Sequence, residues 1–258
     1  MNLRDFLTVV ITTHVLPSAP SSEIIERTIS SIRDNFIDIS DCKFIIYCDS
    51  KINHPSYSSY LENLNKIENV IIVDRPHEGI PYTGLQNNYI EAVTGCSTPF
   101  ALVCEHDWTF LREVDTPKLI KAMIKHNFIN FVRFNKRDNA KSHRDAPPPG
   151  DDGACFWETH VEEEWDVEEQ PLMKTDSIAT HPHVIRVDKF KNDWFHLSKP
   201  IRPGVAGMVE QNLYDAYTKD IRKLGFNAAH KRWGVYNYGS REDLKIIVHT
   251  DGSNSGRV

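Results

Sequence analysis

The sequence predicts an α/β fold: a mainly parallel central sheet flanked by helices, with a less regular C-terminal half. Three observations lead there. Short apolar runs rich in Val, Ile and Phe recur through residues 1–135, as expected of strands buried on both faces. Stretches of about ten residues with helical periodicity separate them, the pattern of βαβ units. Each apolar run ends on polar residues, as strands do where a sheet edge meets solvent or ligand.

Residues 6–13 form the first run, broken by Pro17 and Pro20. Ser21-Ser22-Glu23 then reads as a helix start, with Ile24, Ile25, Thr28, Ile29 and Ile32 on one face. Residues 42–48 (CKFIIYC) are the second strand, followed by Asp49. A helix is expected over 57–67, a third strand over 70–73 ending at Asp74-Arg75-Pro76, and a helix over 84–93. The fourth strand covers 98–104 and runs into Glu105-His106-Asp107. A helix over 117–126 and a fifth strand over 128–134 complete the regular part.

Beyond Asn135 the pattern loosens. Residues 136–153 are basic, then Pro-rich, and read as a long loop. An acidic run from Glu158 to Glu169 follows, with Trp157 and Trp165 as stacking candidates beside Trp194. Residues 183–187 and 244–248 read as strands, and 209–224 as a helix. The chain is therefore divided at 1–135 and 136–258, two halves of one domain.

The 258 residues are 40% hydrophobic and 26% charged, with a net charge of −6. That balance gives no electrostatic case for duplex nucleic acid or an anionic membrane. No window approaches the ~20 apolar residues of a membrane span, and the N-terminus is a poor signal peptide. Five cysteines without CxxC spacing read as reduced thiols in a cytoplasmic protein. GxxxxGK[ST], GxGxxG, GxSxG and HExxH are absent.

In parallel sheets ligands bind beyond the carboxyl ends of the strands. That rule selects Thr12-Thr13-His14, Asp49, Asp74-Arg75 and Glu105-His106-Asp107. In extended backbone Glu105 and Asp107 share a face, with His106 opposite. Paired carboxylates resist joint ionisation unless a cation lies between them, and hard oxygen ligands suit Mg2+ or Mn2+. The plainer reading is a polar turn after a strand. Arg75, Arg186, Arg202 and Lys231-Arg232 are candidates for neutralising an anionic ligand. His181-Pro182-His183 alternates two imidazoles, without the further N/S ligands zinc requires.

A fourth strand ending in an acidic cluster, after β-α-β-α-β-α-β, resembles the GT-A glycosyltransferases and their Asp-x-Asp motif. TVVITTH is similar to the opening strand of that fold, SSEIIERTISSI to its first helix and FIIYCDS to its second strand. Glu105 departs from the motif by standing in place of Asp. The resemblance implies a metal-dependent transfer of a sugar from a UDP- or GDP-sugar to a glycan or other hydroxyl acceptor. It puts Thr12, Thr13 and His14 near the nucleoside and Asp49 on its base or ribose. Gln86, Asn87 and Asn88, in GIPYTGLQNN, would lie along the donor. Asp107, with Glu105 and His249, would hold Mn2+ or Mg2+. Glu210, at the start of an amphipathic helix, would be the general base of an inverting reaction. The alternatives are a non-catalytic nucleotide- or glycan-binding module and a related sugar nucleotidyltransferase. The latter is disfavoured because THVLPSAPSSE has neither Gly nor Lys or Arg.

Overall fold

The computed structural model describes residues 1–15, 21–51, 55–77, 83–139, 164–167, 170–198 and 209–250. Expectations for Trp157, Arg202 and the Pro-rich loop fall outside these residues, as does the side chain of Trp165.

Eleven strands and seven helices are described. The N-terminal strands are β1 (Leu7–His14), β2 (Lys43–Lys51), β3 (Val70–His77), β4 (Phe100–Glu105), β5 (Trp108–Phe110) and β6 (Phe131–Arg133). β7 (Glu164–Val167), β8 (Gln170–Lys174), β9 (His183–Arg186), β10 (Val235–Tyr238) and β11 (Ile247–His249) follow. The helices are α1 (Glu23–Asn35), α2 (Tyr57–Leu64), α3 (Thr83–Gly95), α4 (Thr116–Lys125), α5 (Val187–Lys189), α6 (Val209–Leu224) and α7 (Phe226–Trp233). A π-turn, Phe190–Trp194, continues α5.

Nine strands form one sheet in the order β3-β2-β1-β4-β9-β6-β10-β8-β7. β1, β2, β3 and β4 are mutually parallel. β9 enters antiparallel between β4 and β6, so residues from beyond 135 lie inside the sheet. β10 again runs parallel to β6, and β8 lies antiparallel beside it. β5 and β11 form a separate antiparallel ribbon. The last strand was expected over 244–248; it is shorter, begins at Ile247 and lies outside the main sheet.

Side-chain alternation sorts the core into two layers. Val9, Ile11, Ile46, Leu102 and Cys104 pack with α1, α2 and α4 on one face. Val10, Ile45, Tyr47, Val103, Phe131 and Val235 pack with α3, α6 and α7 on the other. α1 turns its Ile25, Ile29 and Ile32 stripe inward. α4 starts where the Asp115 carboxylate accepts from the Lys118 N–H at 3.0 Å, with Pro117 in the first turn. Trp194 is no sugar platform: it is buried and stacked on Trp233 with centroids 5.3 Å apart.

α7 stops at Gly234, in the left-handed region at φ 63°, with its N–H bonded to His230 O at 2.7 Å. Its carbonyl accepts from the N–H groups of Asn130 and Phe131, which aligns β10 with β6. A Cβ here would lie 1.7 Å from Phe128 O. Gly234→Ala should therefore destabilise the fold by more than about 1 kcal/mol, read as a lower urea midpoint. An unchanged midpoint would contradict this account of the turn.

Candidate active site

Strand order reverses at β1. β2 and β3 lie on one side of it and β4 on the other, so the crevice at their carboxyl ends is the topological switch point. Thr12 pairs with Glu105 and His14 with Asp49 across this edge. Asp49 pairs with Arg75 one strand further out. The strand-end positions singled out in the sequence thus share one sheet edge.

β4 ends at Glu105, and His106 and Asp107 occupy a turn rather than a continued strand. Glu105 has the parity of Val103, which faces α3 and α6. Burial pushes the Glu105 carboxyl up to about 7, with Asp107 and Glu210 adding repulsion and Trp108 offsetting part of it. Asp107 is buried, and its carbonyl accepts from the Thr250 N–H at 2.8 Å and the Thr250 hydroxyl at 3.1 Å.

The β5–β11 ribbon explains why residues 142 positions apart meet. His249 pairs with Trp108, which sets its Nε2 3.0 Å from Asp107 Oδ2. Trp108 packs between the rings of His249, at 4.7 Å, and His181, at 5.1 Å. His106 is buried edge-on to His14 at 5.0 Å, and its carbonyl accepts from Thr28 on α1.

Glu210 is the second residue of α6. Its Oε2 accepts from the Thr180 N–H at 3.2 Å and the Thr180 hydroxyl at 2.8 Å. Its charge is felt by Glu105, Tyr89 and Arg133. Glu105, Asp107, His249 and Glu210 are therefore brought together.

Other candidates separate. Thr13 turns its hydroxyl to Tyr60 at 2.5 Å, on the α1/α2 face, whereas Thr12 shares the parity of Val10 on the α3 face. Arg75 forms an exposed ion pair with Glu91. Gln86 is buried, donating to Ser198 O at 2.6 Å, while Asn87 is exposed on α3. Arg186 binds the carbonyls of Met123, His126 and Ile129. It lines a cavity of about 420 Å³ with Lys231 and Arg232, at the opposite edge of the sheet. These cations are not at the switch point.

His183 is spent structurally. Its Nδ1 donates to His181 O at 2.8 Å and its Nε2 accepts from Tyr89 at 2.8 Å. Burial lowers it to about 4, so it stays neutral.

Sequence reasoning missed Arg133. It lies in register with His183 and Asn237, buried, donating to Asn237 Oδ1 at 3.1 Å and Ser177 Oγ at 3.2 Å. Burial drives both Arg133 and its neighbour Asp176 toward their neutral forms, outweighing their mutual attraction. The available signal was a lone cation closing an otherwise apolar strand, FVR.

Among the described residues, no three His, Cys, Asp or Glu side chains form a ready cation cage. The residues that could hold Mg2+ or Mn2+ are Asp107 and Glu105, with His249 beside Asp107. Such ions take one or two carboxylates, water and substrate phosphates, and the repulsion between Glu105 and Asp107 is what a cation relieves.

The fold is of the GT-A-like α/β class. Among solved structures it resembles S. aureus TarS 1–349, with a TM-score of 0.52 at 12% identity, covering 95% of this chain and 60% of that one. The complex of that TarS fragment with UDP gives a TM-score of 0.52 at 13% identity, and the complex with UDP-GlcNAc 0.50 at 12%. This chain spans 60% and 58% of those two chains. No protein-family model and no curated protein matches the sequence. Among the described residues, no helix is long and apolar enough to cross a membrane.

The raised Glu105 carboxyl fixes a pH dependence. The folded state holds its proton up to about 7, the unfolded state only to the ordinary value of 4.5. Stability from this group is thus present below 4.5 and is lost as pH rises through about 7. In metal-free buffer, Glu105→Gln should raise the thermal midpoint at pH 8 and change it little at pH 4. Equal effects at both pH values would refute this.

Proposed function

We propose that the chain is a metal-dependent glycosyltransferase that moves a sugar from a nucleotide-diphosphate sugar to a hydroxyl acceptor. The observation that carries this is the meeting of Glu105, Asp107, His249 and Glu210 at the switch point of a GT-A-like sheet. UDP- and UDP-GlcNAc-bound TarS supports a UDP-sugar as the first donor class to test.

In this reading the nucleoside lies over Thr12, His14 and Asp49. Asp107 and Glu105 hold Mn2+ or Mg2+ with His249 beside them. When bound, the cation supplies charge that offsets the departing diphosphate. Glu210 accepts the proton of the acceptor hydroxyl as its oxygen attacks the anomeric carbon, which makes the reaction inverting. A cytoplasmic setting agrees with four buried cysteines free of disulfides.

Thermal shift across UDP, GDP and their sugars, with and without Mn2+, tests the donor. A ligand at 100 times its Kd stabilises by about 2.7 kcal/mol. Donor stabilisation that needs Mn2+, followed by sugar release, is expected. Binding without any turnover would favour a nucleotide-binding module, and no stabilisation by any donor would end the proposal.

Two substitutions separate the roles. Asp107→Ala should abolish Mn2+-dependent nucleotide binding with the far-UV spectrum unchanged. Glu210→Gln should spare donor binding and lower turnover by about 100-fold or more. Full nucleotide binding by the first, or full turnover by the second, would remove that residue from its role.

A further inference from the structure

The segment between β8 and β9, residues 175–182, is tied to α6 at two points and to the end of β6. Tyr217 on α6 donates its hydroxyl to Thr175 O at 3.0 Å. Arg133 at the end of β6 donates to Ser177 Oγ at 3.2 Å. Thr180 donates both its N–H and its hydroxyl to Glu210. Residues 175–179 are buried, and the Phe134 N–H holds Pro182 O at 2.9 Å.

The two Thr180 bonds converge on one carboxylate oxygen, Oε2. A carboxylate has two equivalent oxygens and a free rotor about its terminal bond. Loading both donors on one oxygen removes that equivalence and stops the rotor. Oε1 is then the oxygen that neither Thr180 donor occupies.

We propose that Thr180 is the positioning residue of Glu210, and that the 175–182 segment, pinned by Tyr217 and Arg133, holds it in place. This rests on Glu210 as the general base. In that step the acceptor oxygen bonds to the anomeric carbon and its proton passes to Glu210 Oε1. The bond from that carbon to the diphosphate oxygen breaks, and its electron pair leaves on the nucleoside diphosphate. Thr180 touches neither reactant. Its contribution is geometric, and a misplaced base loses rate rather than donor affinity.

The test is a double-mutant cycle on UDP release, with UDP-GlcNAc or the donor that the thermal-shift screen selects, and water as acceptor. Thr180→Val removes the hydroxyl at nearly constant volume. It should lower kcat about 10-fold, with KM for the donor and the thermal midpoint unchanged. Thr180→Ser should restore kcat. In the Glu210→Gln background Thr180→Val should have no further effect, because the carboxylate it orients is gone. Thr180→Ala replaces it if the valine variant does not fold. An unchanged kcat, or the same fold-loss in both backgrounds, overturns the positioning role and leaves Glu210 in its own. A Glu210→Gln variant with full turnover overturns the base and the positioning role together.

Discussion

Three carboxylates, Glu105, Asp107 and Glu210, are held against one sheet edge in partly buried surroundings. Burial alone pushes a carboxyl up, and each neighbouring charge adds to it. Glu105 at about 7 reports both effects. Three contacts around the edge bear on that charge. The β5–β11 ribbon sets His249 against Asp107, Thr180 donates twice to Glu210, and Arg133 lies within the field of Glu210. In the proposed function, a cation shared with a diphosphate would offset this charge.

The sheet gives this charge its place. Parallel strands β1 to β4 bring four polar strand ends to one edge, and the reversal of order at β1 opens the crevice between them. The antiparallel β9 then carries the 175–182 segment to the same edge, because an antiparallel strand begins where its neighbours end. Its first residue, His183, stacks on Phe131 at 4.2 Å and bonds Tyr89, locking β9 under α3.

Much of this was legible in the sequence. Continuous Val/Ile runs identify β1, β2 and β4, since only buried parallel strands are apolar on both faces. The helical stripe of α1 and the polar residues after each run were equally plain. The positions flanking Glu105, Asp107, Glu210 and His249 marked them as candidates, although no local pattern could show that they meet. That requires the β5–β11 pairing, between strands of three residues each, too short for a period to register. Thr180 carried no signal, and the lone cation closing FVR did not reveal what Arg133 meets, for a related reason. Thr180 is defined by a partner 30 positions away, and Arg133 by a register set through β9. Trp194 looked like a platform because composition cannot separate a stacked core indole from an exposed one. Arg75 follows its strand as expected, yet Glu91 on the next helix already engages it.

The central claim is that a cation and a nucleoside diphosphate bind together at the β1/β4 crevice. It is tested most directly by paramagnetic broadening of the histidine side-chain resonances on adding Mn2+ with UDP, with Mg2+ as the diamagnetic control. His249 and His14 border the crevice, while His126 and His230 lie at the opposite edge, by Arg186 and the start of β10. The account predicts strong broadening of His249 and His14 that needs UDP, with His126 and His230 unaffected. Broadening centred on His126 or His230, or independent of UDP, would contradict it.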